Sequence, residues 1–338
     1  RVLYLVRREG LSSVFASQVA RRMGAVAESG IDVDVGVFTP VGQWLRPHLR
    51  HKWQETVNSL PKSLQGRVWR LPSLPSRIDR PMAEARVLRW WLRARYGCSS
   101  PLIVQCRNAT VTRMALHARR SMPNLRVIFD FRGVVDHEHL YGHGYTFADA
   151  PEELRREAER LGAEQREAAE QADAVCCVSE AMASYLVRNY GVDRAKCVVM
   201  PCCVDVERFA AAAGRRDEMR SKLGLAGTFV VCYCGSLARY QLPHESLRLF
   251  QQIRAIRSDA HFLAVTTAPE AMRKAANEVG VPDGCLTIVS VPADEVPGYL
   301  SAADVGLLLR ERSPVNEVAS PVKFGEYLAS GTPVILSE

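Results

Sequence analysis

Residues 229–267 read FVVCYCGSLARYQLPHESLRLFQQIRAIRSDAHFLAVTT, and their order decides the fold. The first eight, FVVCYCGS, are a short apolar run closed by glycine and serine, as in a buried strand. Residues 244–257, HESLRLFQQIRAIR, space their apolar side chains three and four apart, as one face of a helix does. Residues 260–267, AHFLAVTT, are a second apolar run. Strand, helix and strand in this order make a βαβ unit, and such units build parallel sheets.

The same alternation extends in both directions. Downstream, a helix is expected at 269–279, a strand at 285–291, a short helix at 293–303 and a strand at 304–310. Upstream, strands are expected at 1–6, 32–38, 101–106, 126–131, 173–179 and 196–201. Helices are expected at 13–29, 109–120, 151–172 and 180–190. Residues 44–97 are rich in arginine, proline and tryptophan and are harder to read. Residues 203–227 read as a connection, after which the pattern restarts. The expected fold class is therefore α/β, with two Rossmann-like, doubly wound parallel-sheet domains facing a cleft. The domains are placed at 1–205 and 228–338, with a linker at 206–227. The second is expected to be cut short of its last helices.

The chain has 338 residues, 47% hydrophobic and 24% charged, the balance of an ordinary globular protein. No apolar run approaches the length of a membrane span, and RVLYLV at the start reads as a strand rather than a signal peptide. The net charge of +7 conceals an asymmetry: residues 1–150 carry +12 and residues 151–338 carry −5. A basic first half suits an anionic partner, and its scattered arginines fit nucleic acid poorly, so no nucleic acid is expected. The ten cysteines lack the C-x-x-C spacing of zinc sites and sit mostly in apolar strands, as reduced cysteines of a cytoplasmic protein do.

Residues 320–335, SPVKFGEYLASGTPVI, carry the chemistry. Ser320 suits an N-cap and Pro321 the first helical position. Lys323 and Glu326 are three apart and share a helix face. The helix N-terminus favours an anion, and a carboxylate one turn in can accept hydrogen bonds from a sugar diol. Spacing alone leaves two readings: a nucleotide site, or a plain surface Lys–Glu pair.

GSLARYQ after strand 229–234, PCCVDVERF before the linker and SPVKFGEYLASGTPVI near the end together resemble a retaining GT-B glycosyltransferase of family four. The resemblance covers the whole chain and is strongest over 173–338. It implies transfer of a sugar from a nucleotide-diphosphate donor to a hydroxyl acceptor, with retention of configuration and without a metal or other cofactor. The acceptor implied is a glycan, in one version a lipid-linked glycan of cell-envelope polysaccharide assembly. Glu326 matches the second acid of the family's E-x7-E motif and would hold the ribose. The first acid falls on Val318, so Asn316 or Glu317 would have to replace it. The family's loop arginine and lysine fall on Ser236 and Gln241. The resemblance therefore leaves Arg239, with Lys323 and Arg310, to hold the diphosphate, and Gly235, Ser236 and Ser320 are expected among the donor-binding residues.

In the first half, FDFRGVVDHEHLYGHG (129–144) follows a strand and is the best candidate for the sugar and acceptor. Arg132 would contact sugar or phosphate, and Asp130 or Glu138 would assist the acceptor hydroxyl. His137, His139 and His143 invite a metal reading that neither the fold nor the chemistry calls for. Gly10 and Ser12, before the first helix, would bring backbone amides to the phosphate or serve as a plain N-cap. RVLRWWLRARY (86–96) reads as a helix packing Leu88, Trp91 and Leu92 on the sheet, or as one lying on an anionic membrane. The location expected is cytoplasmic, with peripheral contact at the inner face of the membrane. Three rivals remain: a non-catalytic nucleotide-sugar-binding protein, a sugar-nucleotide epimerase of the same GT-B build, and, third, a nucleic-acid binder, which would bind in a salt-sensitive way independent of Glu326.

Overall fold

The structure, a computed structural model, describes residues 1–7, 15–75 and 81–337. Gly10 and Ser12 lie outside the described residues. The first sheet is built from β1 (Val2–Arg7), β2 (Val33–Pro40), β3 (Val68–Ser73), β4 (Leu102–Cys106), β5 (Leu125–Asp130), β6 (Ala174–Cys177) and β7 (Cys197–Val199). The second is built from β8 (Phe229–Cys234), β9 (Ala260–Val265), β10 (Leu286–Val289), β11 (Val305–Leu308) and β12 (Val334–Leu336). Their orders are β3-β2-β1-β4-β5-β6-β7 and β10-β9-β8-β11-β12, and every pairing is parallel. The expected class, two doubly wound parallel sheets, is the one observed.

The central strands are apolar on both faces because helices cover both. In β1 the alternation sends Leu3 and Leu5 to one face, against Leu88, Leu92 and Met114, and Tyr4 and Val6 to the other, against Phe15, Val19 and Met23. In β8, Val231 and Tyr233 meet Phe250 and Met272, while Val230, Cys232 and Cys234 meet Tyr299, Leu300 and Tyr327. Each sheet thus has a core on either side.

Two stretches resolve differently from the sequence reading. Residues 44–97 contain the helix Pro47–Asn58, the edge strand β3 and the helix Pro81–Tyr96. Among the described residues β3 pairs only with β2, and an edge position tolerates Pro72, which disguises the strand in sequence. Residues 206–227 hold the helices Val206–Ala213 and Arg216–Leu223, and Phe209 and Leu225 bury in the second sheet's core.

One device recurs in both sheets. Asp173, just before β6, accepts the Val127 amide of β5 at 2.8 Å and pairs with Arg119. Asp304, just before β11, accepts the Val230 amide of β8 at 2.7 Å and pairs with Arg216 and Arg220. In each case an aspartate ties the start of one strand to its neighbour and to a helix. The chain forms two compact units, residues 1–135 with 159–200 and residues 136–158 with 201–338.

Candidate functional site

In the second sheet β8 and β11 lie side by side, with β9 and β10 running outward on one flank and β12 on the other. This is the switch point of a doubly wound sheet, and ligands bind beyond the carboxyl ends of the strands there. Gly235 and Ser236 follow β8. The Gly235 amide donates to Val265 O at 3.1 Å, and a Cβ on Gly235 would stand 2.7 Å from Gln241 Oε1. The glycine therefore lets Gln241 fold over the loop, where its Nε2 donates to Ser236 Oγ at 2.9 Å. Tyr233 donates its phenol to Ser236 O at 2.6 Å. Arg239 donates to Gly144 O at 2.7 Å, which turns its guanidinium toward segment 136–158 of the same unit.

Arg310 follows β11. Its amide donates to Ser337 Oγ, and its carbonyl accepts from the same hydroxyl, both at 2.8 Å. Among the described residues no carboxylate pairs with its guanidinium. Burial pulls its pKa down, and the neighbouring phenols of Tyr240 and Tyr233 oppose that. A partly buried cation without a counter-charge at a strand's carboxyl end is suited to an anionic ligand.

The helix Val322–Ala329 carries the next two groups. Its seat depends on two glycines. A Cβ on Gly306 of β11 would come within 2.6 Å of the Tyr327 ring, and one on Gly325 within 3.1 Å of the Val204 side chain. With both absent, Tyr327 lies flat on β11, is fully buried and donates to Cys232 O at 3.1 Å. Lys323 and Glu326 are then presented one turn apart, joined by an ion pair. Burial acts to lower the Lys323 pKa, but the Cys234 thiol and Glu326 outweigh it and hold it above the ordinary value. Ser320 corrects one expectation: it does not cap this helix, which starts at Val322 with Pro321 in the cap position. Its hydroxyl instead accepts the Cys202 amide at 3.2 Å, drawing residues 201–204 against the helix start.

Asn316 braces the loop after β11. Its Nδ2 donates to Tyr240 O at 3.0 Å and to Glu311 O at 2.7 Å. Glu317 is exposed, and Val318 is buried at 2% exposure. The position where the family's first acid falls is thus core. In the same loop, Glu311 Oε2 and Ser313 Oγ are buried without a hydrogen-bond partner among the described residues.

In the first unit, Asp130 ends β5 and is buried. Its Oδ2 accepts from the Tyr4 phenol, from Arg22 Nη2 at 3.1 Å and from Arg132 Nη2 at 3.1 Å. Arg132 Nε stands 3.0 Å from Oδ1. Arg22 also lies over the Tyr4 ring, 5.3 Å from its centroid. Burial, then the charge of Asp130, pushes the Tyr4 phenol far up, so it stays a donor. Asp130 and Arg132, both singled out in sequence, are brought together, and the aspartate positions two arginines. Tyr4 and Arg22 were not legible, because a tyrosine and an arginine in a strand and a helix read as ordinary packing.

In the second unit, Glu138 keeps solvent access, but surrounding protein and then the charge of Asp136 raise its pKa. His137 stacks edge-on against Phe147, and burial lowers its pKa. His143 Nδ1 is 2.9 Å from His139 O, and His139 Nε2 is 3.6 Å from Glu157.

Two parallel doubly wound α/β sheets, with cationic and hydroxyl groups gathered at the carboxyl ends of β8 and β11, are the build of GT-B glycosyltransferases. The chain belongs to glycosyltransferase family 4, whose model matches residues 16–208. It is 26% identical to 2-deoxystreptamine glucosyltransferase of Streptomyces kanamyceticus over 174 residues, which are 50% of this chain and 44% of that protein. It is 27% identical to the GDP-mannose-dependent alpha-(1-6)-phosphatidylinositol monomannoside mannosyltransferase of Mycolicibacterium smegmatis over 168 residues, 48% of this chain and 44% of that one. The matched segments thus span less than half the length of these relatives. The fold superposes on HepE of Anabaena, crystallised with UDP, with a TM-score of 0.67 and 13% identity, covering 99% of this chain and 80% of that one.

Proposed function

We propose that this protein moves a sugar from a nucleoside-diphosphate donor to a hydroxyl acceptor, with retention at the anomeric carbon. The observation that carries the reading is the set Lys323, Glu326 and Arg310 around the exits of β8 and β11. In this reading the ribose hydroxyls donate to Glu326, and Lys323 passes from its pair with Glu326 to the diphosphate. Arg310 meets the same diphosphate from the neighbouring strand. The bond that breaks joins the sugar's anomeric carbon to the phosphate oxygen, and negative charge grows on that oxygen. Two fixed cations stabilise it most when the charge is fully developed, which is where catalysis gains. The new bond joins the anomeric carbon to the acceptor oxygen. The acceptor proton passes to the leaving phosphate on the same face, so no carboxylate nucleophile is needed. We assign no metal to the reaction, since two protein cations meet the diphosphate. Asp130 is assigned to holding Arg22 and Arg132 rather than to proton transfer.

The relatives' names span glucosyl and GDP-mannose-dependent mannosyl transfer, and the structural neighbour holds UDP. The base of the donor is therefore left open in this proposal. The acceptor is taken to be a glycan or lipid-linked glycan. The place is taken to be the cytoplasmic side of a membrane, in keeping with ten free cysteines. No helix among the described residues is long and apolar enough to cross a membrane. The contact proposed is a peripheral one, through the outer face of the helix Pro81–Tyr96.

The test is turnover by the full-length protein with UDP-, GDP-, ADP- and TDP-sugars and a panel of glycan and lipid-linked acceptors. Nucleotide release and the anomeric signal of the product are followed by NMR. One donor giving nucleoside diphosphate and a product of retained configuration is expected. An inverted product would overturn the mechanism, and donor conversion without any acceptor would favour an epimerase.

A further inference from the structure

Three basic side chains meet at the amino edge of the first sheet. Arg1, Asp32 and Arg67 each stand one residue before a strand, β1, β2 and β3 in turn, and these strands are neighbours. Parallel pairing therefore brings the three residues to one edge. There Asp32 accepts from Arg1 Nε on one carboxylate oxygen and from Arg67 Nη1 on the other. Arg67 and then Arg1 hold the Asp32 carboxyl below its ordinary pKa, so it stays ionised. Arg95, near the end of the helix Pro81–Tyr96, completes the group. With Asp34 these side chains line an open cavity of about 580 Å³. Ala27 and Ile31 give it an apolar wall, and Ile31 is left 46% exposed there.

The acids of this cavity do not use up its cations. Asp34 is buried, and neutral donors take both its oxygens: the Tyr96 phenol donates to Oδ2 at 2.7 Å and Trp69 Nε1 to Oδ1 at 3.2 Å. Arg95 is left 3.9 Å from Asp34, and its side chain makes no hydrogen bond among the described residues. It is held instead over the Trp69 ring, 4.3 Å from the centroid. Arg1 and Arg67 give Asp32 one nitrogen each. Three guanidiniums thus face two carboxylates, and all three are 40–44% open to solvent. A guanidinium has five N–H donors, so most of those here have no acceptor among the described residues.

We propose that this cavity, at the amino ends of β1 and β2, is a second anion site that takes the phosphate group of a small phosphate ester on Arg1, Arg67 and Arg95. A carboxylate is planar and offers two oxygens. A phosphate monoester offers three around a tetrahedron and can take guanidinium forks from separate directions. The wall of Ala27 and Ile31 suits the organic part of the ester, and the volume is that of a small-molecule pocket. Asp130 and Arg132 lie at the carboxyl end of β5, so within this unit they and the cavity are at opposite edges of the sheet. A bound ester ties the starts of β1 and β3 to the helix Pro81–Tyr96 and so favours the folded unit. A free metabolite and a lipid headgroup share this chemistry.

The test is calorimetry of the full-length protein in phosphate-free buffer with inorganic phosphate, glucose 6-phosphate and glucose. Inorganic phosphate and glucose 6-phosphate are expected to bind one saturable site, the ester more tightly, and to raise the melting temperature, while glucose does neither. Arg95→Gln and Arg67→Gln are each expected to weaken glucose 6-phosphate about tenfold. If Arg95→Gln fails a thermal melt, Arg67→Gln carries the test. Displacement of the ester by vesicles carrying phosphatidic acid would support the site with a lipid headgroup as its source, and binding that such vesicles leave unmoved would support it with a free metabolite. Folded wild type that binds neither phosphate compound overturns the proposal. So does binding that is equally tight in the folded arginine variants, or glucose binding as well as its phosphate ester.

Discussion

Gly306 shows how one missing side chain governs the site. A methyl group there would stand 2.6 Å from the Tyr327 ring, a distance no packed core accepts. Gly306→Ala must therefore push Tyr327 off β11 and shift the helix that carries Lys323 and Glu326. The expected cost is about 1–3 kcal/mol in chemical denaturation, with nucleotide affinity lowered alongside. Unchanged stability would mean that the helix is not seated on Tyr327 as described. At this scale the sequence was legible where local spacing decides the outcome: Lys323 and Glu326 were expected on one face and are paired there. It was not legible where partners come from far along the chain. Nothing near Ser320 announces that its hydroxyl goes to Cys202, or that Tyr4 and Arg22 converge on Asp130. Those contacts exist only once the strands are ordered.

Among the elements, the helix Pro81–Tyr96 has two unlike faces. Inward, Ala85, Leu88 and Leu92 are buried, Trp91 packs against the same core, and Glu84 pairs with Arg7 of β1. The packing of Leu88, Trp91 and Leu92 expected from the sequence is observed. Outward, Trp90 is 70% exposed and Met82 43%, among Arg86, Arg89 and Arg93. The only acid on the helix is spent on Arg7, and none of the three arginines has an ion-pair partner among the described residues. Cations flanking an exposed tryptophan match the interface of an anionic bilayer. The protein is expected to sediment with vesicles carrying about 30% anionic lipid and not with neutral ones. Arg86→Glu with Arg89→Glu and Arg93→Glu should abolish this. Equal binding to both vesicle types, or none to either, would contradict it. The same region was opaque in sequence because Pro72 disguised β3 as a loop. The two helices within 206–227 were not legible because short, alanine-rich and charged helices lack a strong apolar period.

For the molecule as a whole, the alternation of strand and helix was enough to give two parallel sheets, because each βαβ step restricts the next. Strand order, and with it the pair β8 and β11 at the switch point, comes from how the pieces pack and is not written in any single stretch. The charge asymmetry has a physical counterpart in each part. The basic first half contains the outward arginines of the helix Pro81–Tyr96 and the pair held by Asp130. The more acidic second half still gathers Lys323 and Arg310 at the exits of its central strands. The central claim is that these exits hold a nucleoside diphosphate with Glu326 on its ribose. Calorimetric titration of UDP, GDP, ADP, TDP and CMP into wild type and Glu326→Ala tests it most directly. The account predicts that one nucleoside diphosphate binds and that the substitution weakens it by at least about 1 kcal/mol. Folded, full-length protein that binds none of them, or that binds one equally well without the Glu326 carboxylate, would contradict it.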